Sequence, residues 1–318
     1  MTPPVSSRAG VAVALVAVGL VSLTAQQRQG GDRPQLPAAP WERRVVDAGL
    51  PVSPFFEGWY ENPDGSYTLS FGFFNRNREE TLRIPHGPDN HLSIAQPDGR
   101  QPTIFAPGRD TGVFTVTVPG DFAENDGRLV WTLRTGDQPP HSVPGKVGVE
   151  AYRLHHNPMG MGSLPPLLKL GEEGPELWGP MTVAGDAREA ATWSTGKDPV
   201  GSRANPLSLT ASAGTPLTLT VWIADRLAPS PERDPVPGGA TWFTHTGPAP
   251  AVFSETRLRP DESAAGAVTT TVTCEQPGDY ILRVRADNFN PVDSTSGDQC
   301  CWTNGYVRGA VAPEPGLP

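Results

Sequence analysis

One short stretch of the chain combines imidazole and thioether side chains, the ligand types that suit copper. His155 and His156 are followed closely by Met159 and Met161. The spacing matches no established motif, and loop histidines with gap-filling methionines are the ordinary interpretation of such a segment. Copper binding at these four residues is therefore a hypothesis for the structure to test.

Three acidic side chains are expected at one end of a predicted sandwich. Asp225 and Asp287 each end a predicted strand, and Asp293 falls in the loop that follows the second of them. If the two strands run the same way the carboxylates converge, and hard oxygen ligands are what Ca²⁺ takes. Aspartate is also common in loops because it caps its own turn, so calcium is one of two interpretations. No other cofactor is indicated.

An aromatic cluster and a polar turn are the candidates for binding a ligand. Phe56, Trp59 and Tyr60 crowd one short strand, and they cannot all face one core because strand side chains alternate. We expect one or two of these rings on an outer face, where aromatic side chains suit sugars or partner proteins. Asn75 and Arg76 close the following hairpin. Two interpretations of this pair are open, a binding site for a carboxylate or sugar and an ordinary polar strand end.

The sequence contains neither the Gly-x-Ser-x-Gly nucleophile elbow nor the His-Glu-x-x-His metalloprotease motif. No catalytic residue is predicted. The paired carboxylates of a glycosidase are assembled in space rather than in sequence. A polysaccharide-acting enzyme, or its carbohydrate-binding accessory, is therefore kept as the alternative hypothesis.

The charge balance bears on the choice of partner. With 25 Lys and Arg against 34 Asp and Glu, the formal net charge is −9. A protein this acidic has no electrostatic footprint for nucleic acid. We expect a glycan or a surface protein as the partner, and no nucleic acid.

The N-terminus has the pattern of an export signal. Arg8 precedes the apolar run 9–23, and the small residue Ala25 comes before a polar stretch, which is the order of a secretory signal peptide. We predict a signal peptide over 1–25, and no other run is long enough for a membrane helix. This predicts a secreted, periplasmic or cell-surface protein, with an uncleaved N-terminal anchor as the alternative.

Short apolar runs with a period of two predict an all-β fold of two antiparallel β-sandwiches. Proline and glycine, 37 and 35 residues, stand between these runs as turn residues, which is typical of many-stranded proteins. A polar linker over 26–50 precedes the first sandwich at 51–156. An irregular interdomain connector over 157–204 leads to the second sandwich at 205–313, and a tail at 314–318 follows.

The clearest strand follows a Pro-Gly-Asp turn at 277–279. Tyr280 and the apolar residues at every second position after it share one face, while Arg283 and Arg285 fall on the other. A tyrosine just after such a turn is expected to form a tyrosine corner, in which its hydroxyl bonds to the upstream backbone. This predicts an immunoglobulin-like topology for the second sandwich.

The second sandwich also resembles a known family. Its segments are Gly-Thr-Pro-Leu-Thr-Leu-Thr at 214–220, Thr-Trp at 241–242, Gly-Pro at 247–248, Val-Phe-Ser at 252–254 and Pro-Gly-Asp-Tyr at 277–280. In this order they resemble the polycystic-kidney-disease (PKD)-like branch of immunoglobulin-fold domains. Such domains are usually extracellular spacers or binding modules, so the resemblance implies no catalysis.

The first sandwich is similar to regions of uncharacterised exported bacterial proteins. The residues that carry this resemblance are Phe-Glu-Gly-Trp-Tyr at 56–60 and Gly-Phe-Phe-Asn-Arg-Asn at 72–77. It implies export and no particular activity. The sequence as a whole therefore predicts an exported, non-catalytic surface or binding module.

The three cysteines leave one over after pairing. Cys274 ends a predicted strand on its apolar face, at the opposite end of the sandwich from Cys300 and Cys301, so we expect it to be unpaired. A bridge between Cys300 and Cys301 is strained, because consecutive Cα atoms lie about 3.8 Å apart, yet export favours oxidation. We predict this vicinal disulfide, with a bridge from Cys274 or two reduced thiols as alternatives.

Overall fold

The computed structural model describes residues 46–62, 64–95, 97–124, 127–154, 165–174, 176–177, 179, 207–224, 238–260, 266–287 and 302–314. The predicted signal peptide and most of the predicted linker lie outside these ranges. Contacts group Val45–Pro318 as one unit. The regular elements described are β-strands and two 3-10 turns, Gly120–Phe122 and Glu150–Tyr152. The all-β fold class is confirmed.

The first sandwich is formed by strands from the N-terminal half of the described chain. They are β1 Val52–Glu61, β2 Tyr67–Asn75, β3 Leu82–Arg83, β4 Asn90–Leu92, β5 Ile104–Phe105, β6 Gly108–Val118, β7 Leu129–Leu133 and β8 His141–Gly145. One sheet has the order β1-β2-β6 and a second the order β4-β7-β8, while β3 pairs with β5. All of these pairings are antiparallel.

Aromatic side chains fill the space between the sheets of the first sandwich. Phe71 stacks on Phe114 at 5.2 Å, and both rings meet Trp131 edge to face. These rings come from β2, β6 and β7, so the predicted alternation along β2 joins the two sheets. The residues on the other face of β2, among them Thr68 and Ser70, are also buried. The β1-β2-β6 sheet is therefore covered on both sides.

The second sandwich follows. Its strands are β9 Leu167–Lys169, β10 Leu207–Ser212, β11 Leu217–Ala224, β12 Gly239–Thr246, β13 Val252–Phe253, β14 Arg257–Leu258, β15 Ala267–Thr273, β16 Gly278–Asp287 and β17 Trp302–Ala312. One sheet has the order β10-β17-β16-β12-β14 and the other β13-β15-β11-β9. Immunoglobulin domains place strands A, B, E and D in one sheet and C, F and G in the other. The strands β9, β11, β15 and β13 match the first set, and β12, β16 and β17 the second.

Two internal features support the immunoglobulin-like topology. The Tyr280 hydroxyl donates to the Gln276 carbonyl at 3.0 Å, which confirms the predicted tyrosine corner. Trp242 of β12 is buried in the core, as the strand-C tryptophan is in immunoglobulin domains. Those domains place a bridging cysteine two residues after the corner tyrosine, where this chain has Leu282. Apolar packing therefore takes the place of the inter-sheet disulfide.

The predicted connector contributes a strand to the second sandwich. Leu167–Lys169 pairs antiparallel with the end of β11, from Trp222 to Ala224. Leu168 is fully buried, so apolar burial explains why this short run leaves the irregular conformation expected for it. Residues 180–206 of the connector lie outside the described residues, and the domain bounds stay a prediction.

Candidate functional site

A cleft of about 180 Å³ lies between the two sandwiches. Its walls come from both, and we call it the inter-sandwich cleft. The lining residues are Phe73, Thr81, Pro102, Ile104, Ala106, Asp110, Val113, Trp242, Phe243, Thr244, His245, Pro250, Ala251, Phe253, Thr256 and Arg283. Mostly apolar walls with a few polar groups are typical of ligand sites in proteins.

Strand alternation in β16 brings charge to this cleft. Tyr280 and Leu282 face the core of the second sandwich, so Arg283 and Arg285 face outward, as the sequence predicts. The first sandwich covers that outward face, and Arg283 is only 1 % exposed. A face that would be solvated in an isolated sandwich is therefore an internal surface here.

The buried guanidinium is matched by a carboxylate from the other sandwich. Arg283 Nη2 donates to Asp110 Oδ2, and Arg285 Nη1 donates to Asp110 Oδ1 at 3.3 Å. The guanidinium of Arg283 also lies over the Phe243 ring, 4.2 Å from its centroid. Burial lowers the pKa of Arg283, and the Asp110 carboxylate opposes that shift. The cleft floor is thus an ion pair whose charges compensate each other.

Two β-bulges lie beside this ion pair. Glu57 is the extra residue of a bulge in β1, between Phe56 and Gly58, and the β2–β6 register also shifts next to Gly112. Glu57 Oε2 accepts hydrogen bonds from the Gly112 amide at 2.8 Å and from Ser70 Oγ at 3.0 Å. Burial raises the pKa of Glu57 to about 7, and nearby Asp110 adds to the rise. The Glu57 carboxyl lies behind the cleft wall and does not line it.

The bulge at Gly112 is where β17 joins the first sandwich. Asn304 Nδ2 donates to the Gly112 carbonyl at 2.5 Å, and the Tyr306 hydroxyl donates to the Val113 carbonyl at 3.1 Å. Gly112 has a φ of +59°, and a Cβ there would meet the Trp302 indole at 2.3 Å. Only glycine suits a backbone in this conformation at so close an approach.

His245 also lines the inter-sandwich cleft. It is the extra residue of a bulge in β12 between Thr244 and Thr246, and its Nε2 lies 2.8 Å from the Arg100 carbonyl. Burial lowers the pKa of His245 to about 3, so the ring is neutral at ordinary pH. A carbonyl only accepts, so Nε2 carries the proton and Nδ1 is an acceptor. The Thr103 amide donates to the His245 carbonyl at 2.8 Å, which ties the bulge to the first sandwich.

The predicted aromatic cluster, Phe56, Trp59 and Tyr60, does not lie at the inter-sandwich cleft. Trp59 and Tyr60 are buried, and Trp59 Nε1 donates to the Val149 carbonyl at 3.1 Å. Phe56 is half-buried between Phe71 and the exposed Tyr152, with ring centroids 5.4 and 5.8 Å away. None of the three lines the cleft.

The two hairpin residues also differ in exposure. Asn75 is fully buried, and its Nδ2 donates to the carbonyls of Glu80 at 2.8 Å and Phe105 at 2.9 Å. These bonds give Asn75 a structural role in holding the turn. Arg76 is exposed, so ligand binding by Arg76 stays a prediction.

The predicted metal and disulfide residues fall mostly outside the described residues. Asp287 is described, buried, and paired with Arg285 at 3.5 Å between Oδ2 and Nε. The other predicted metal ligands and the cysteines of the predicted bridge lie outside, namely Asp225, Asp293, His155, His156, Met159, Met161, Cys300 and Cys301. Within the described ranges, no three His, Cys, Asp or Glu side chains come together as a metal site. Cys274 is free and buried, next to Tyr280 and Val311.

No helix among the described residues is long and apolar enough to cross a membrane.

Sequence reasoning missed Asp110, His245 and the burial of Arg283. The sequence around Arg283 carried no signal of its burial, because arginines that alternate with apolar residues in a strand ordinarily face solvent. Its partner carried none either, since Asp110 is a single acid in a distant strand. Only the packing of the two sandwiches brings these side chains together.

Comparisons with known proteins place the chain in no family. No family model matches it, and no curated protein matches it. Solved structures that resemble it include the D0-D1 domain of intimin, with 13% identity over 81% of this chain and 97% of that chain and a TM-score of 0.23. Domains 4 and 5 of the S-layer protein SbsC give 12% identity over 83% and 98%, with a TM-score of 0.21. The Yersinia pseudotuberculosis adhesin InvE gives 11% over 81% and 58%, with a TM-score of 0.22.

Proposed function

We propose that this protein is an exported, non-catalytic binding module that holds its partner in the inter-sandwich cleft. The observation that carries the proposal is the cleft itself. Its walls are apolar, its floor is the compensated Asp110–Arg283 pair, and its rim residues Thr81, Ala106 and Thr256 are exposed. Concave apolar sites with few, fixed polar groups are where ligands bind.

The joint between the sandwiches supports this role because it fixes residues that line the cleft. Hydrogen bonds from Asn304 and Tyr306 to β6, and from the Thr103 amide to His245, cross from one sandwich to the other. Residues fixed in this way lose little conformational entropy when a partner binds, which favours affinity.

The composition of the lining supports binding rather than catalysis. A glycosidase uses two carboxyl groups that flank the reacting bond. The described lining contributes one carboxylate, Asp110, and Arg283 already occupies it. His245 is buried and neutral and has no described nucleophile as a hydrogen-bond partner.

Export and a surface location are also part of the proposed function. The n-region Arg8, the apolar run 9–23 and the small Ala25 support a cleaved leader. The immunoglobulin-like second sandwich is of the kind that the PKD-like resemblance associates with extracellular binding modules. The partner class that follows is a glycan or a surface protein.

The test uses the protein immobilised against arrays of glycans and extracellular proteins, together with a panel of chromogenic glycoside substrates. We expect saturable binding on an array and no turnover of any substrate. A blocking variant, Ala106→Trp, fills the exposed rim. The control Ala151→Trp adds the same bulk at an exposed position in the Glu150–Tyr152 turn, which contributes no residue to the cleft lining. Binding should be lost in the first variant and kept in the second. Turnover, or equal binding by both variants, would overturn the proposal.

A further inference from the structure

The strand β10 forms one edge of the five-stranded sheet in the second sandwich. It pairs in parallel with β17 on one side, and no other described strand pairs with it on the other side. A strand edge that is left open presents a row of main-chain N–H and C=O groups, which can pair with a strand of another chain. The open side of β10 is therefore a candidate interaction surface.

The register of β10 shows which main-chain groups face the open side. The Ala213 amide donates to the Ala312 carbonyl at 2.8 Å, just beyond the last pair of the ladder, Ser212 with Ala312. Successive residues of a strand point their main-chain groups to opposite sides, so positions 207, 209 and 211 bond to β17. The residues whose N–H and C=O groups point to the open side are Ser208, Thr210 and Ser212.

Most of these outward groups have no described partner. The Ser212 carbonyl accepts a hydrogen bond from the Thr215 amide at 3.0 Å, and the other outward N–H and C=O groups of β10 bond to none of the described residues. Thr210, in the middle of the strand, is exposed. Leu209 beside it packs against the core, which holds the strand in place.

The other three edges of the second sandwich are protected against pairing. At the far end of the same sheet, β14 carries the exposed Arg257, and the exposed Arg259 and then Pro260 follow it. In the other sheet, β13 is only two residues long, and the N–H and C=O groups of Leu168 in β9 pair with Leu177. Charged side chains, proline, short strands and covering segments are the ways in which proteins protect sheet edges.

None of these protective features occurs in β10. The strand is six residues long and contains no charged residue, no proline and no glycine. Among the four edges, β10 alone has the length and the composition of an edge that pairs.

A second copy of β10 is a complementary partner for this edge. When the two strands run antiparallel with Thr210 opposite Thr210, Ser208 of each copy lies opposite Ser212 of the other. All three outward residues of each strand then form hydrogen-bonded pairs. Threonines directly opposite each other stabilise a strand pair, and like charges would destabilise it. The chain as a whole has a net charge of −9, but β10 adds no charge to the contact.

We propose that two copies of this chain pair antiparallel through β10, with Thr210 of one copy opposite Thr210 of the other. The five-stranded sheet then continues from one copy into the next. Such a pairing uses the same surface on both copies, so it closes at two chains. The inference goes beyond the proposed function, because β10 contributes no residue to the lining of the inter-sandwich cleft.

The test is sedimentation equilibrium of the full chain between about 10 µM and 1 mM. We expect the weight-average mass to rise from that of one chain towards that of two, with a dissociation constant on the order of 100 µM. The expected affinity is modest because a single strand edge buries less than the roughly 1,200 Å² of a stable interface.

Charge variants locate the contact at Thr210. Thr210→Lys places two like charges opposite each other and should weaken the association about fivefold, and Thr210→Glu should do the same. An equimolar mixture of the two variants should restore the association, because lysine then faces glutamate. Thr218→Lys is the control, since it adds the same charge at an exposed position of the central strand β11. Circular dichroism checks that each variant is folded.

Four results would overturn the inference. They are a single-chain mass at about 1 mM, association of Thr210→Lys as strong as that of the unmodified protein, a mixture that associates no better than either variant alone, and a mass that grows beyond two chains. Array binding that survives in Thr210→Lys would show that the cleft function stands apart from the pairing.

Discussion

Among single residues, Glu57 is a buried carboxyl whose pKa is strongly raised. Its carboxyl is buried at a β-bulge with both hydrogen bonds on Oε2, and Oε1 has no partner among the described residues. Desolvation disfavours the charged form and raises the pKa of Glu57 to about 7. In the folded protein the carboxyl therefore stays protonated at pH values below about 7. The protonation of one side chain therefore bears on the stability of the β1–β6 region.

The change Glu57→Gln tests this account through the pH dependence of stability. The pKa rises from an ordinary value of 4.5 to about 7 on folding, so Glu57 stabilises the fold fully below about pH 4.5. That contribution is lost as the pH rises to about 7, and it amounts to about 3 kcal/mol. Glutamine mimics the neutral carboxyl, so Glu57→Gln should be the more stable protein at pH 8. Urea unfolding from pH 4.5 to 8 measures the difference.

The control is Glu79→Gln, which changes an exposed carboxyl and should leave the pH profile unchanged. His245 acts with the opposite sign, because its pKa is lowered to about 3 and stability falls as the pH drops below about 6.5. Both variants keep His245, so the difference between their pH profiles of unfolding free energy isolates the contribution of Glu57. Parallel profiles for Glu57→Gln and the unmodified protein would contradict the account.

Among the elements, β16 shows what a period of two can and cannot predict. The alternation of Tyr280 and Leu282 against Arg283 and Arg285 was visible in the sequence, and the structure confirms the strand and its core face. The tyrosine corner was equally predictable, because it needs only a local turn and the tyrosine that follows. What covers the arginine face was not predictable, since it belongs to another sandwich.

Tyr280→Phe is the prediction for this element. It removes the hydroxyl that donates to the Gln276 carbonyl at 3.0 Å and leaves the buried ring in place. Because the Gln276 turn is exposed, water can bond to the freed carbonyl, so we expect a loss of about 1 kcal/mol. Denaturant unfolding should show a lower midpoint with an unchanged slope.

Tyr152→Phe removes a hydroxyl from a ring that is 49% exposed, so it should change stability by less than about 0.5 kcal/mol. Equal losses in Tyr280→Phe and Tyr152→Phe would mean that the corner bond adds nothing specific to the second sandwich.

For the whole molecule, the joint between the sandwiches is the deciding feature. Asp110, Arg283, Asn304 and Tyr306 connect strands far apart in sequence. Contacts group Val45–Pro318 as one unit, so we expect the described sandwiches to unfold together rather than in turn.

Asp110→Ala tests that expectation. It leaves the buried charge of Arg283 without its carboxylate, and breaking a buried ion pair in this way costs about 3–5 kcal/mol. Calorimetry should show one transition in the unmodified protein, shifted to a clearly lower temperature in Asp110→Ala.

The double variant Asp110→Ala with Arg283→Met removes both charges and should recover part of the stability, because apolar replacement of a buried pair is tolerated. A loss below about 1 kcal/mol in Asp110→Ala, or two separate transitions in the unmodified protein, would contradict a coupled joint.

The sequence by itself determined the all-β fold, the immunoglobulin-like strand pattern of the second sandwich and the tyrosine corner. These depend on alternation and on turn residues, and both act between neighbours along the chain. Tertiary structure alone decided that Trp59, Tyr60 and Asn75 are buried and that Asp110 meets Arg283 at the floor of a cleft. Those outcomes depend on which face of one sandwich covers another, and period-two hydrophobicity does not encode that choice.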